Sequence, residues 1–563
     1  MEEPERTAAR ESAATRRYRQ LAAAVLDGLL ETAPETATAL GDHRFDDRLD
    51  DLSAEGVATR AGVLHDALAA LDGVDDVPLD VPDRVDLEIL RTAVAADLWR
   101  VEELREHEHD PIAHLPGEAL YPLVARDTGE PAARAAALAA RLAGVPHRLE
   151  VARAQLHDMP RVHVETAVAQ ARGVVAMLGE DVDSLLDRAP VGRGQVDAVR
   201  ATAAGALEDY ARWLETRLPE CDGDPRLGEQ RFAAKLWYAL DTETSPDQLL
   251  TRAESDLQAV EEEMAEVASR IAGSPPRAGQ VREVLDGIAA AAPVDDRAIL
   301  PLCREALSHL ADRVRAIDLV SVPDDWEELV EIVVMPPSRR GVAVAYCDPP
   351  GPLESPGAPT LFAVSPTPPG WPAERVASFY REYNGHMVRE LTVHEAVPGH
   401  ALQLARSAGY EGGSRVRAAF PSGSFAEGWA VYAEEVVAAA GLGLGPADDD
   451  ALRMQRLKML LRSTINAILD VRVHAHGMTE AEALRLLTER GHQEEGEAAG
   501  KWRRALLSHA QLSTYFVGYG EVSAIVAELG EARPPLSRRD VHDAVLAHGS
   551  PSPRLLRSLL GLP

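Results

Sequence analysis

Cysteine is nearly missing from this chain of 563 residues. Cys221, Cys303 and Cys347 stand far apart and form no C-x-x-C pair. Structural disulfides are therefore not expected, and a cysteine-based zinc site is set aside. Aromatic residues are also scarce, at 4%. Alanine, leucine and valine abound instead, which favours helices packed through small aliphatic side chains over an aromatic-rich β-sandwich. Positive charge is in short supply: 58 basic residues face 91 acidic ones, for a formal net charge of -33. Such a surface repels nucleic acid and anionic membranes and keeps the chain soluble. It needs no function beyond that, since a high-salt or high-GC lineage produces the same balance. No apolar run is long enough to span a bilayer. The N-terminal "MEEPERTAARESAATRRYRQ" is charged and lacks an apolar core, so no signal peptide is expected and the cytoplasm is the default location.

The composition that remains is that of a soluble globular protein, with 46% apolar and 26% charged residues. The length predicts two or more structural lobes. A first helix is expected over residues 14–40, ending near Gly41. Apolar residues then recur at three- and four-residue spacing over 54–105, 130–155, 196–218, 246–272, 278–291 and 296–317. That spacing predicts amphipathic helices, joined by Pro/Gly punctuation such as "IAGSPPRAG". Near residue 328 the texture changes. "ELVEIVVMPPSRRGVAVAYCDPPGP" and "PTLFAVSPTPPGW" carry short β-branched runs bounded by Pro and Gly, which predict a few strands in a small sheet. Helix is expected again from Pro372 to the end. The organisation expected is an N-terminal helical region, 1–320, packed without a flexible linker against a metal-binding region, 321–563.

The chemistry centres on "LTVHEAVPGHALQ", Leu391 to Gln403. His394 and Glu395 begin an H-E-x-x-H zinc helix, but Pro398 stands where the second histidine belongs, and the next histidine is His400. On a regular helix, positions six apart face roughly 240° away from each other. Both imidazoles can reach one ion only if the helix is distorted. Pro398 cannot donate a bond to the carbonyl of His394, and Gly399 tolerates unusual dihedrals, so the sequence supplies the means. A carboxylate ligand is then wanted. "SFAEGWAVYAEEV" offers Glu427 and, seven residues on, Glu434. "ILDVRVHAHG" places Asp470 and His474 at i and i+4, a spacing that either holds a metal or orients its ligands through hydrogen bonds. "AQLSTYFVGYG" offers Tyr515 and Tyr519 as phenolic donors. Each feature alone has a bland reading: a surface glutamate, a local Asp–His bond, a core tyrosine.

Together, H-E-A-V-P-G-H followed by F-x-E-G-W-A-x-Y-x-E resembles the DUF885 family, bacterial proteins of largely unassigned function that look like gluzincin-type zinc metallopeptidases. "FYREYN" (Phe379 to Asn384) and "AQLSTYFVG", with Gln511, Tyr515 and Gly518 matching, agree with it more weakly, and Asp470 and His474 fit its D-x-G-x-H element. The chain departs from the pattern at Arg472, Met478, His509 and Ala510; the last two stand where the family often has Pro-Gly. The resemblance implies a mostly α fold, with two helical lobes around a deep central cleft and a small β-sheet. It implies His394, His400 and Glu427 as ligands of Zn2+ and Glu395 as general base. Tyr515 becomes the better oxyanion donor, Asp470 or Glu434 the partner of a ligand histidine, His474 a further donor, and Gln511 a neighbour of the site. The expected activity is hydrolysis of a peptide or small amide by a monomer or homodimer that binds neither nucleic acid nor membrane. A zinc hydrolase of a non-peptide amide or ester is the near alternative, and a non-catalytic metal- or partner-binding helical protein the more distant one. "HEHD" (His107 to Asp110) reads as surface, because its alternating histidines splay across a helix. "GLGLG" (Gly441 to Gly445) lacks the lysine of a phosphate loop, and no G-x-S-x-G elbow is present.

Overall fold

Helix start and stop signals account for most of the architecture. Ser53, Ser245, Ser537 and Ser552 each accept a backbone N–H in the first turn of the helix that follows, satisfying a donor that would otherwise lack a partner. The helix Pro246–Ala272 shows the full set of signals: a Ser245–Gln248 capping box, Pro246 in the first turn, and Gly273 in the left-handed conformation at its end. The computed structural model describes residues 12–126, 129–189, 192–335, 344–354, 358–368, 370–532 and 536–563. The charged N-terminus through residue 11 and residues 336–343 of the expected β-branched run lie outside them. Helices Pro131–Gln155, Arg193–Arg217, Pro246–Ala272, Gln280–Ala291 and Ile299–Ala316 stand within a few residues of the bounds expected from periodicity. The expected helix over 14–40 is two helices, Ala13–Glu31 and Pro34–Leu40. Pro34 has no N–H to carry the ladder across the join, so the chain restarts there.

The protein is mostly helical with one three-stranded sheet. Strands β1 (Val330–Val334), β2 (Ala345–Asp348) and β3 (Thr360–Val364) are ordered β1-β3-β2. β3 pairs parallel to β1 and antiparallel to β2, with Cys347 opposite Phe362. β2 therefore lies at one edge of the sheet.

Most of the apolar cores run across position 320. One joins Ile299–Val320 to the sheet, the His394 region and the last helices. A second joins Phe232–Ile288 to residues between Val431 and Val517. A third is confined to residues 115–214. Arg417, 1% exposed, reaches Asp86, 2% exposed, at 2.5 Å, and donates as well to the carbonyls of Pro82 and His548. This buried ion pair ties the N-terminal helices to the C-terminal region. Among the described residues, no helix is long and apolar enough to cross a membrane.

Candidate metal centre

The helix Gly385–Glu395 begins at Asn384, whose side-chain oxygen accepts from His386 and Met387 N–H. It stops at Glu395. Ala396 leaves the helical region, at φ -123° and ψ -84°, and Gly399, at φ -73° and ψ -132°, precedes a new helix, His400–Ala408. The Val397–Pro398 bond is cis. The motif is therefore not one kinked helix but two helices joined by a turn. The Gly399 N–H donates to the Val393 carbonyl at 3.0 Å. The turn is so tight that a Cβ on Gly399 would stand 2.0 Å from the His394 carbonyl oxygen, far inside contact distance. Trp429 Nε1 donates to the Pro398 carbonyl at 2.7 Å and pins the turn to the helix Gly423–Ala440, which carries Glu427 and Glu434.

The turn brings the two imidazoles together. Their ring centroids are 4.7 Å apart and nearly perpendicular, at 88°. Glu427 Oε2 lies 3.5 Å from His394 Nε2 and 3.3 Å from His400 Nε2. One atom from each residue lies within 4.8 Å of the other two, and no other such group of three occurs among the described residues. His, His and Glu at zinc bond lengths of 2.0–2.2 Å in a tetrahedron would stand about 3.3 Å apart, so the two carboxylate spacings fit. Glu427 Oε2 is buried and makes no hydrogen bond, although two ring nitrogens flank it. A cation between the three atoms would satisfy it.

The surroundings favour positive charge. His394 Nδ1 lies 2.6 Å from Glu434 Oε1; in a neutral ring holding a cation, Nδ1–H would donate there and Nε2 would present its lone pair on the Glu427 side. Burial opposes charge on His394, but Glu427 and Glu434 outweigh it and raise its pKa well above the usual value. Burial pushes Glu427 up, yet His400 and His394 overcome this and hold it well below the usual carboxylate range. Glu395 is 9% exposed. Burial raises its pKa against the lowering effect of both histidines, and the Cys347 N–H of β2 donates to its carboxylate.

Two glycines set the position of the tyrosines. A Cβ on Gly428 would stand 2.4 Å from the Gly518 backbone, and one on Gly518 would stand 2.1 Å from the Ser424 carbonyl oxygen. The helices Gly423–Ala440 and Gln511–Ala532 thus touch backbone to backbone one residue past Glu427 and three past Tyr515. The Tyr515 hydroxyl feels the charge of Glu427 more than any other influence; burial adds to it, and both raise its pKa. Tyr519 is engaged elsewhere, donating to Glu435 at 2.5 Å and accepting from Arg456 at 2.9 Å. Of the two candidates, Tyr515 faces the cluster.

The remaining candidates sit apart from the cluster. Asp470 does not touch a ligand histidine. It accepts from the Ser513 N–H at 3.0 Å and the Ser513 hydroxyl at 2.7 Å, at the start of the Tyr515 helix. His474 is not a donor beside the cluster either. Its Nε2–H is shared between the carbonyls of Ala505, at 2.8 Å, and Ser508, at 3.0 Å, and burial lowers its pKa to about 3. The i,i+4 pair is a buried tether, with His474 Nε2 3.8 Å from Asp470 Oδ1. Gln511 is exposed and accepts from Arg504 Nε at 3.2 Å. The departures from the family pattern lie around this tether: His509 meets His474 edge-on, Arg472 pairs with Glu254, and Met478 is in the core. Ala510 has φ +64°, the left-handed region that suits the glycine found there in the family.

Some neighbours were not singled out from the sequence. Glu390, one turn before His394, is buried; burial and the adjacent Glu434 raise its pKa well above the usual value. An i,i+4 carboxylate before the motif histidine was a signal for it. Arg504, whose Nη2 donates to the Tyr515 hydroxyl at 3.4 Å, carried no sequence signal. His107–Asp110, expected at the surface, is half-buried at the short helix Glu106–His109 and contributes to no metal-binding group among the described residues.

No curated protein matches the chain. Two solved structures share its fold. A candidate lipoprotein of unknown function from Shewanella oneidensis superposes with a TM-score of 0.81 at 24% identity, covering 96% of this chain and 99% of its own. A candidate lipoprotein from Colwellia psychrerythraea gives a TM-score of 0.79 at 16% identity, covering 98% and 99%. The model of the DUF885 family, described as a bacterial protein of unknown function, matches residues 34–560, and the chain belongs to that family.

Proposed function

We propose that this protein is a zinc-dependent hydrolase that cleaves peptide bonds of small peptides, with His394, His400 and Glu427 holding the ion. The observation that carries the reading is the convergence of two histidine nitrogens on one buried Glu427 oxygen, with the buried Glu395 carboxylate next in sequence to His394. A structural site has no need of such a carboxylate. Bound there, zinc would supply Lewis acidity, lowering the pKa of a coordinated water and polarising a substrate carbonyl.

The protein residues divide the remaining work. Glu395 takes a proton from water at its carboxylate and returns it to the leaving amine. Tyr515 stays protonated, because Glu427 and burial disfavour the phenolate, and donates a hydrogen bond to the developing oxyanion. Glu434 holds the His394 ring by its Nδ1. The two-lobed gluzincin arrangement belongs to the same proposal. So does a cytoplasmic location, to be tested by cell fractionation because the similar structures are described as candidate lipoproteins. Glu395→Gln keeps the shape and removes the base. The variant is expected to retain zinc by elemental analysis and to lose at least a hundredfold in turnover of a peptide library. Undiminished turnover would reject the general-base role. A protein that neither contains nor takes up zinc would end the whole reading.

A further inference from the structure

Lys501 is 7% exposed and makes no hydrogen bond or ion pair among the described residues. It sits on the helix Glu495–Leu507, one turn before Arg504, so the two side chains share a face. Arg504 reaches only neutral partners, the Gln511 oxygen at 3.2 Å and the Tyr515 hydroxyl at 3.4 Å. The carboxylates nearest Lys501 are already taken. Glu382 accepts from Lys458 at 2.8 Å and Arg462 at 3.2 Å, and Glu497 accepts from Arg462 at 2.6 Å. Four cations, Lys458, Arg462, Lys501 and Arg504, thus lie around the already paired Glu382 and Glu497, in a chain whose formal charge is -33. A largely buried ammonium with no carboxylate of its own favours the approach of an anion.

We propose that Lys501 and Arg504 form a subsite for a substrate carboxylate beside Tyr515. This rests on the hydrolase reading, and it places the carboxylate near the donor assigned to the scissile carbonyl, because Arg504, one turn after Lys501, donates to the Tyr515 hydroxyl at 3.4 Å. A negatively charged group so near the reacting bond belongs either to the C-terminal α-carboxylate of a short peptide or to an acidic side chain next to the bond. Burial, aided by Arg462 and Arg504, draws the Lys501 pKa down to about 7, as fits an ammonium that lacks its anion.

The test is calorimetric binding to the metal-free, full-length protein. The probes are N-acetyl-alanylalanine, its C-terminal amide, and N-acetyl-alanylglutamate α-amide. Lys501→Met and Lys501→Arg are measured beside the native chain, with thermal melting to verify folding. At least one carboxylate probe is expected to bind tenfold tighter than the neutral amide. The preference should collapse toward unity in Lys501→Met and return in Lys501→Arg. The probe that binds identifies the source of the carboxylate. Equal binding of acid and amide by the native chain, or no binding of any probe, overturns the subsite without recourse to a variant. So does an acid preference that survives in Lys501→Met. If the carboxylate binds as described but no peptide is hydrolysed by the zinc-loaded protein, the peptidase reading fails and the subsite stands.

Discussion

Gly399→Ala tests the argument at its narrowest point. The added Cβ would lie 2.0 Å from the His394 carbonyl oxygen and 2.4 Å from that of Val393. Both obstacles are backbone, so no side chain can rotate away. Relief needs a movement of more than about 1 Å to reach an ordinary carbon–oxygen contact, and overpacking of this kind costs about 1–3 kcal/mol. The Gly399 N–H to Val393 bond at 3.0 Å lies in the same turn, and its loss adds about 1 kcal/mol. The larger effect falls on the metal. His400 begins the helix directly after Gly399, and its Nε2 stands 3.3 Å from Glu427 Oε2. A displacement of 1 Å is a large fraction of that spacing. The expected loss is at least tenfold in zinc affinity, measured by competition with a chromophoric chelator, and more than 2 °C in melting temperature. Gly409→Ala is the control, because a Cβ there meets only carbonyl oxygens at 3.6 and 3.7 Å. If Gly399→Ala binds zinc as tightly as the native chain and melts with the Gly409→Ala control, the tight turn does not hold His400 in place.

Glu434→Gln retains an acceptor for His394 Nδ1–H but removes the charge, and should weaken zinc binding about 10- to 100-fold in the same competition assay. Arg417→Ala leaves Asp86 buried without its cation and should cost about 3–5 kcal/mol in urea unfolding; a loss under about 1 kcal/mol would contradict the assigned tie between the N-terminal helices and the C-terminal region. Burial raises the Asp470 pKa to about 7 from 3.8. A raised folded-state value means that stability is fully present below the unfolded pKa and is lost as pH rises through the folded one. Between pH 5 and pH 8 the loss attributable to Asp470 should reach about 3 kcal/mol. Asp470→Asn should remove that part of the slope, and identical pH–stability slopes in the two proteins would contradict it.

Helix content and approximate helix bounds were legible because apolar spacing and Ser, Pro and Gly punctuation are local properties of the chain. The small sheet was legible for the same reason. The join at Pro34 is also local, but it was overlooked because the apolar pattern continues through it. Glu390 could have been found by the same i,i+4 spacing used for Asp470 and His474. The roles of Asp470 and His474 could not, since the tether depends on Ser513, Ala505 and Ser508 arriving from other helices.

What the sequence determined by itself was the inventory: a mostly helical chain, membership of the family carried by its motifs, and a short set of histidines, carboxylates and tyrosines. It also supplied the means to distort the helix, because the missing N–H of Pro398 is a property of the residue; the helix in fact ends at Glu395. Tertiary structure decided which groups meet. The tight turn at Gly399 brings His400 beside His394, Glu434 rather than Asp470 takes the ring nitrogen, and the Gly428–Gly518 contact turns Tyr515 toward Glu427. Lys501 and Arg504 acquire meaning only there, since an unpaired buried cation is defined by neighbours far away in the chain.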